Sequence, residues 1–349
     1  MIVEAASKKG PIVPRKTAIA FTILAVSLVG CSPQLSDYQP QHFSAAPALE
    51  LLEGLSADEL KGRGVGTPGG QIARTMIIDR LEELSVEPVG NTFEHPFKYG
   101  AFVDPETGTP GVPDKDGVNL IGKIPGRESG GLSLVNTAHY DHLGVREGEI
   151  YNGADDNASG VVGALAIAET LSNAPPKHDT FFVFLDAEED GFGGARAFIS
   201  NPPIALETVA LNLNFDMVSR GDNGILWASG THHWPDMIPH VEAVAENAFV
   251  EVQLGYDSAE TPDDWTLMSD HAVFFRAGIP HLYFGVEDHP DYHQPGDDFE
   301  KIDQEWFLKS VDTLALMALA MDEQLPDIFA MRQAAIAEET PVEAQTKSE

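Results

Sequence analysis

Cysteine is almost absent from this chain of 349 residues, because Cys31 is the only one. A network of disulfides is therefore excluded, and a folded domain must rely on its core or on bound metal. Basic residues are also few, since 21 Lys and Arg stand against 55 Asp and Glu and leave a formal net charge of −34. A field of this sign repels phosphate backbones, so we do not expect nucleic acid as a partner.

The N-terminal region lacks an apolar run long enough for a transmembrane helix, which needs about 20 residues. Basic residues instead precede a shorter apolar run at positions 17–30, which is the layout of a secretory signal peptide. Cys31 follows this run directly, and the sequence LVGC resembles the bacterial lipobox, in which the cysteine is acylated and becomes the first residue of the mature protein. This resemblance implies an exported protein that is anchored to the membrane through a lipid on Cys31. Since Ser32 follows the cysteine, we expect the protein in the outer membrane. The alternative interpretation is that Cys31 is an ordinary buried or cleaved-off cysteine.

The composition of the chain predicts four segments. Residues 1–30 form the signal peptide, and residues 31–46 contain the lipidated cysteine and a polar, proline-bearing tether. The globular domain is expected at 47–325. Residues 326–349 form a C-terminal tail that is predicted to be partly disordered, because its end contains few apolar residues.

Strand and helix patterns alternate after a Pro/Gly/Asp-rich loop at 104–117. Strands such as FFVFLDA at 181–187 are apolar on both faces, as a sheet covered by helices on both sides requires. The pattern predicts an α/β fold, namely a single domain whose central mixed, largely parallel sheet is flanked by helices on both faces. Strands are expected at 132–139, 180–187, 211–216, 225–229 and 281–286, and helices at 72–84, 158–171, 237–249 and 304–321.

Histidines and carboxylates follow these predicted strands at the point where each strand ends. They are His139, Glu188, Glu189, Asp216 and His293. Ligands bind at the carboxyl ends of strands in an open α/β sheet. Like charges about 4 Å apart cost several kcal/mol at an effective dielectric near 20, so a cation between these carboxylates is the natural resolution. Imidazole together with carboxylate suits Zn²⁺, which predicts a zinc site at this edge.

Six segments in a fixed order resemble the di-zinc exopeptidase family that includes secreted bacterial leucine aminopeptidases, glutamate carboxypeptidase II and the glutaminyl cyclases. The segments are HYDH, GADDNASG, FLDAEEDGFGG, NFDM, SDHAVFFRAGIP and DYHQPGDD. The likeness extends over roughly residues 54–319, which is nearly the whole predicted domain. It implies a zinc aminopeptidase-like fold, two Zn²⁺ as cofactors, and hydrolysis of N-terminal bonds in peptide substrates.

The family pattern also implies five metal ligands. Asp155 would bridge both ions, while His139 and Asp216 would complete one site and Glu189 and His293 the other. Each ion would then keep one position open for water, as catalytic zinc does.

Three further residues take roles around this centre by the same resemblance, and a fourth, Asp156, takes a structural role from its place before a helix. Glu188 would be the general base that takes a proton from zinc-acidified water, and Tyr292 would hydrogen-bond the developing oxyanion. Asp141 would orient the ring of His139. The peptide bond after the bridging aspartate is expected to be cis. Asp156 is predicted to cap the next helix.

Other readings of the same residues remain open. A glutaminyl cyclase-like acyltransferase would work with one zinc, but the presence of His139 and Asp216 favours two ions and hydrolysis. A non-catalytic binding protein on this scaffold would lose ligands or the base, whereas all are present here. Carboxypeptidase or dipeptidase specificity stays possible, with Glu287, Trp265 and Arg276 as candidate specificity residues. No obligate protein partner is evident.

The remaining histidines have no ligand pattern. Neighbouring residues on a strand or loop point apart, so His232 and His233 are not expected to share a metal. His271 is expected to pack or to support the site, and His142 and His289 are expected to be surface or core residues.

Overall fold

The computed structural model describes residues 38–100, 115–128, 131–259, 261 and 263–339. Cys31 and the predicted signal peptide lie outside the described residues. The helices are α1 (Ala45–Leu55), α2 (Pro68–Glu83), α3 (Gly160–Asn173), α4 (Gly193–Ser200), α5 (Ile238–Ala245), α6 (His271–Arg276) and α7 (Gln304–Glu339). The strands are β1 (Glu87–Pro88), β2 (Glu94–Tyr99), β3 (Lys115–Ile124), β4 (Ser133–His139), β5 (Gly144–Arg146), β6 (Glu149–Tyr151), β7 (Asp179–Leu185), β8 (Val209–Phe215), β9 (Ile225–Ser229), β10 (Glu251–Leu254) and β11 (His281–Gly285).

The main sheet is mixed and has the strand order β1-β3-β7-β4-β8-β11-β9-β10, with β2 paired to β3. The four central strands β7, β4, β8 and β11 are parallel to their neighbours within this group. The pairs β3–β7 and β9–β11 are antiparallel. Strands β5 and β6 form a separate hairpin. This arrangement confirms the predicted mixed α/β fold.

The strands at the centre of the sheet are buried on both faces. Along β7, Phe182 and Phe184 belong to one apolar cluster, whereas Phe181 and Val183 belong to another, because successive side chains point to opposite faces. Helices α1, α2, α3, α5 and α7 contribute to the first cluster, and α4 and α6 to the second. The continuous apolar runs in the sequence therefore reflect a sheet that is covered on both sides.

Two local features determine where helices begin. Thr67 Oγ1 accepts a hydrogen bond from the N–H of Gly70 (3.2 Å), and Pro68 takes the first position of α2, where its missing N–H costs nothing. At the start of α3, a Cβ on Gly160 would lie 2.3 Å from the main-chain oxygen of Phe215. Glycine at this position therefore allows α3 to begin directly against the end of β8.

The packed domain extends beyond both predicted boundaries. Tyr38 Oη donates to Asp312 Oδ2 (2.6 Å), and the N–H of Gln41 donates to the same oxygen (2.8 Å), so the second part of the predicted tether is bound to α7.

The loop predicted at 104–117 ends earlier than expected, because β3 begins at Lys115.

The C-terminal helix is longer than the one predicted at 304–321. It continues through Pro326, and Leu325 and Ile328 in this part are buried. Arg332 donates to the main-chain oxygen at the start of β8 (2.6 Å). The predicted tail is therefore helical and packed in its first part, because its apolar residues continue the helical spacing of α7. No helix in the described part of the chain is both long and apolar enough to cross a bilayer.

Candidate metal centre and active site

The ends of four adjacent parallel strands bring the candidate ligands together. β4 ends at His139, Glu189 lies shortly after β7, Asp216 follows β8 directly, and His293 lies in the segment after β11. Because the strands run in the same direction, these side chains meet at one edge of the sheet. The topology thus explains why residues far apart in sequence form one centre.

Asp156 lies between two groups of possible metal ligands. Its Oδ1 is 3.4 Å from His139 Nε2, which is also 3.3 Å from Asp216 Oδ1. Its Oδ2 is 3.0 Å from His293 Nε2 and 3.7 Å from His142 Nδ1. The two oxygens of one carboxylate therefore face two different groups, as a bridging ligand requires.

Glu189 completes the second group. Its Oε1 is 2.8 Å from His142 Nδ1, and its Oε2 is 3.6 Å from His293 Nε2. We call His139, Asp156 and Asp216 the first site. We call Asp156, Glu189, His293 and the neighbouring His142 the second site.

Asp155 does not face either site, which corrects its assignment as the bridging ligand. Its carboxylate accepts hydrogen bonds from the N–H (2.8 Å) and the hydroxyl (2.6 Å) of Ser219, and lies 3.1 Å from His289 Nε2. The cis peptide bond, expected between Asp155 and Asp156, lies one residue later, between Asp156 and Asn157. The family pattern was therefore placed one residue too early on this loop.

The helix-capping role predicted for Asp156 belongs to Asn157. Asn157 Oδ1 accepts from the N–H of Gly160 (2.9 Å) at the start of α3. Asp297, which the sequence did not single out, accepts from the N–H groups of Asp155 (2.9 Å) and Asp156 (3.0 Å). These contacts hold the loop so that the side chain of Asp156 points to the sites and that of Asp155 points away.

The ring of His139 is oriented by a main-chain group. Its Nδ1 lies 3.1 Å from the main-chain oxygen of Asp141 and 3.8 Å from the carboxylate of the same residue. The predicted orienting role of Asp141 is thus performed by its carbonyl, while its carboxylate accepts from the N–H of Glu188 (3.0 Å). In the neutral ring, a hydrogen bond from Nδ1–H to this carbonyl leaves Nε2 as the free nitrogen toward Asp156 and Asp216, which is the state a metal ligand needs.

Glu188 lines a cavity of about 280 Å³ over the two sites, together with Tyr292. Burial raises the pKa of Glu188 well above its usual range, and the nearby carboxylates Asp270, Asp216 and Glu189 raise it further. The ring of Tyr292 stacks on His293 with the centroids 4.0 Å apart. Burial also raises the pKa of Tyr292, so its phenol stays protonated and can donate a hydrogen bond into the cavity.

The walls of this cavity are acidic and partly apolar. Asp156, Glu188, Glu189, Asp216 and Asp288 supply carboxylates, and no Lys or Arg is among the described residues that line it. The apolar part is formed by Phe192, Met217, Trp265, Met268 and Val286. The cavity therefore favours a cationic group next to an apolar one.

The three candidate specificity residues differ in position. Trp265 lines the cavity, whereas Glu287 and Arg276 are not part of its wall. Glu287 instead accepts hydrogen bonds from the hydroxyl of Tyr256 (2.5 Å) and from Asn223 (2.7 Å). Of the three, only Trp265 is placed to contact a substrate.

The chemistry of these groups fits zinc. Imidazole nitrogens and carboxylate oxygens converge on two points, and Glu189 Oε1 has no hydrogen-bond partner among the described residues although it is buried. Buried polar atoms without a partner are costly and call for an explanation, and a cation between the ligands provides one. A site built from oxygen donors alone would suit Mg²⁺ or Ca²⁺, whereas the imidazoles present here favour Zn²⁺.

Arg63 holds the loops that carry the centre, and it was not identified from the sequence. Its fully buried guanidinium donates to the main-chain oxygens of Tyr140 (2.8 Å), Asn152 (2.5 Å) and Gly153 (2.9 Å). These carbonyls belong to the two loops that carry His142 and Asp156. A single arginine next to glycines gave no signal in sequence, because these three acceptors and the carbonyl of Leu55 (2.8 Å) are all main-chain oxygens.

A comparison with protein families identifies the chain. The model of peptidase family M28 matches residues 119–318, which is more than half of the sequence. The chain belongs to peptidase family M28. The match includes every residue of the two sites and the cavity residues that follow strands β4, β7, β8 and β11.

Two curated relatives of this M28 chain are named as aminopeptidases. It is 32% identical over 216 residues to the probable lipoprotein aminopeptidase LpqL of Mycobacterium tuberculosis. It is 28% identical over 201 residues to aminopeptidase YwaD of Bacillus subtilis. The alignments cover 53% and 54% of this chain but 42% of each relative, so the chain matches less than half of their length.

Solved structures share the fold. A zinc aminopeptidase from Bacillus subtilis superposes with a TM-score of 0.64 at 17% identity, covering 79% of this chain and 95% of that one. A glutaminyl cyclase from Bacteroides thetaiotaomicron gives a TM-score of 0.60 at 19% identity, covering 81% and 99%. The predicted zinc aminopeptidase-like fold is thereby confirmed.

Proposed function

We propose that this M28 protein is an aminopeptidase that binds two zinc ions and removes residues from the N-terminus of peptides. The observation that carries the proposal is the position of Asp156, whose two oxygens face two separate ligand groups. The names of the curated relatives LpqL and YwaD agree with this activity.

The ligands that we assign follow the geometry. His139, Asp156 and Asp216 would hold one ion, and Asp156, Glu189 and His293 the other. Zinc bound there would supply an acidified water as the nucleophile and an electrophilic contact for the carbonyl oxygen of the substrate.

Glu188 is the general base in this proposal. Its carboxylate lines the cavity beside both sites, and burial raises its pKa toward the range in which a group can both take and return a proton. It would accept a proton from the attacking water and deliver it to the departing amine. The hydroxyl of Tyr292 would donate a hydrogen bond to the oxyanion that forms on the substrate.

The cavity wall supports an amino-terminal specificity. A free α-amino group is cationic, and the carboxylates on the wall attract it, whereas a carboxypeptidase needs a cation for the α-carboxylate. Asp288 is the lining carboxylate outside the two sites and the base, so we assign it to the amino group. Trp265 and Met268 would contact an apolar side chain of the first residue.

Hydrolysis of a peptide panel tests the proposal. Aminoacyl chromogenic substrates with and without an N-acetyl group are compared with carboxy-terminal substrates, each after removal of metal and after addition of zinc. We expect zinc-dependent cleavage of free aminoacyl substrates and loss of cleavage on N-acetylation. Preferential cleavage at the carboxyl end, or cyclisation of glutaminyl substrates without hydrolysis, would replace the proposal by one of its alternatives.

We propose further that the mature protein is lipidated on Cys31 and anchored in the cell envelope, with the outer membrane as the preferred site. The LVGC sequence supports this, and so does the name of the lipoprotein relative LpqL. A Cys31→Ser variant should lose lipid modification and leave the membrane fraction. Unchanged processing and an unchanged membrane fraction would contradict the anchor.

A further inference from the structure

His142 is the one side chain at the centre that neither the sequence pattern nor the two assigned ligand sets uses. It lies in the loop after β4, and its side chain is fully buried. Its Nδ1 is 2.8 Å from Glu189 Oε1, but the pair lacks hydrogen-bond geometry. Neither nitrogen of the ring has a hydrogen-bond partner among the described residues.

The spacing of the donor atoms around this ring fits a tetrahedral ion. Ligand atoms bound to zinc at about 2.0–2.1 Å in a tetrahedron lie about 3.3 Å from one another. Glu189 Oε1 is 2.8 Å from His142 Nδ1, and Asp156 Oδ2 is 3.7 Å from His142 Nδ1 and 3.0 Å from His293 Nε2, so these distances lie on either side of this value. One donor atom each of His142, Asp156 and Glu189 lies within 4.8 Å of the others. His293 adjoins this group, with Nε2 3.6 Å from the second oxygen of Glu189.

Gly153 makes room for the ring in this position. A Cβ at Gly153 would lie 2.5 Å from two carbon atoms of the His142 ring, and the residue has a φ of +60°, which favours glycine. The ring thus packs against the main chain of the loop that carries Asp156, with Nδ1 turned toward Glu189. The fold itself directs this nitrogen to the second site.

We propose that His142 is a fourth protein ligand of the second zinc ion. The inference rests on the proposed binding of two zinc ions. It makes the two sites unequal, because the first site has three protein ligands and the second has four. Zinc sites with four protein ligands are closed and structural in character, whereas those with three keep a position for water or substrate. The second ion is then held more tightly, and the open position for the substrate carbonyl lies at the first.

The number of imidazoles per zinc tests this directly. X-ray absorption at the zinc edge of the fully loaded native protein should show three imidazoles shared by two ions. Without a bond to His142 the count is two, from His139 and His293. A native protein that binds one ion, or two ions with two imidazoles between them, overturns the proposal.

Two substitutions separate a ligand from a packing residue. His142→Leu keeps an apolar side chain of moderate size but has no ligand atom, and it should weaken zinc at one site by more than about 100-fold, beyond the 10–100-fold typical of a supporting hydrogen bond. His142→Asp places a carboxylate oxygen close to the position of Nδ1 and should retain both ions. If the ring only fills space, the order of the two variants in retained zinc reverses, because Leu is tolerated there and a further buried carboxylate beside Glu189 is not.

His178→Leu is the matched control for both substitutions. His178 is also buried and lies 3.1 Å from the carboxylate of Asp322, but it precedes β7 at the opposite end of the strand from Glu189. The zinc content of the His178→Leu variant should equal that of the native protein. These readouts do not depend on turnover, so a protein that binds zinc as proposed but cleaves no peptide would contradict the aminopeptidase function and leave the ligand assignment intact.

Discussion

Histidines collect at both ends of β11, and the two groups behave in opposite ways. Beyond its carboxyl end, His293 lies within 3.0 Å of Asp156 and 3.6 Å of Glu189. At its amino end, His271 and His281 stack with ring centroids 5.2 Å apart, and the centroid of His233 is 6.4 Å from that of His281. None of the latter three forms an ion pair with a carboxylate in the described part of the chain. We call them the histidine core cluster.

The surroundings of each ring explain the difference. In the histidine core cluster, burial lowers the pKa of His271 to about 4 and that of His281 well below its usual range, so both rings are neutral. For His293, burial also acts to lower the pKa, but the carboxylates of Asp156 and Glu189 outweigh it and the pKa is raised. A high density of histidine is therefore not what makes a metal centre. Adjacent carboxylates at strand ends do, and the core cluster contributes packing instead.

The largest effect is expected when the shared carboxylate is removed. Asp156→Asn should weaken zinc at both sites by more than about 100-fold each and abolish hydrolysis, because both ions lose a charged ligand. Asp155→Asn is the matched control and should cost about 10–100-fold in affinity, as the loss of a supporting contact does. Zinc content after dialysis against a chelator measures both. Equal losses in the two variants would contradict the assignment of Asp156 as the bridge.

The next effect separates the base from the ligand beside it. Glu188→Gln keeps the size of the side chain and should leave zinc content unchanged, while kcat falls by about 10²–10⁴ with little change in KM. Glu189→Gln should lower zinc occupancy at the second site and lose activity that excess zinc partly restores. Measuring kcat and bound zinc for both variants decides between the roles. A Glu188→Gln enzyme with most of its turnover would remove the proposed base.

The smallest effect concerns the histidine core cluster and appears in stability. His271 has a folded-state pKa of about 4, below its usual value of 6.5, so in between the unfolded chain binds a proton that the folded chain does not. The contribution of the neutral His271 ring to the free energy of unfolding is complete above pH 6.5. It is lost as the pH falls, and the free energy of unfolding decreases by roughly 2 kcal/mol between about pH 6.5 and pH 5. In the His271→Asn variant, the decrease in the free energy of unfolding on acidification should be smaller by that amount.

Urea unfolding of the zinc-loaded protein at about pH 7.5 and pH 5 measures this difference. Zinc binding is itself pH-dependent, but it enters equally in the native protein and in the variant, so the difference between them reports His271 alone. Zinc content should be the same in both proteins at about pH 7.5. A variant that loses zinc there would place His271 in the metal centre and end the contrast between the two ends of β11.

Much of the fold followed from patterns that act over short distances. The strand at 225–229 was predicted with the bounds that the structure has, and continuous apolar runs indicated a sheet covered on both faces. The predictions missed β2, whose residues are exposed or half-buried and form no continuous apolar run, and the second half of α7, which contains Pro326. After Pro326 the apolar spacing of α7 continues with Ile328 buried, and Arg332 also donates to the main chain at the start of β8, a long-range contact that no local pattern reports.

For the candidate site, the sequence by itself determined which residue types meet, because parallel strands bring their carboxyl ends to one edge and His139, Glu188, Glu189, Asp216 and His293 stand at those ends. It could not decide between Asp155 and Asp156. Adjacent carboxylates on a loop have the same chemistry, and only the main-chain contacts with Asp297 determine which of them faces the sites.

The place of His142 likewise depended on the tertiary structure. In sequence it is a histidine three residues after His139 without a partner, and the space left by Gly153 together with the position of Glu189 directs its ring to the second site. Sequence determined the chemical inventory of this protein, whereas the folded loops decided which donor atoms face one another, because the direction of a side chain on a loop is set by long-range main-chain contacts that no local pattern encodes.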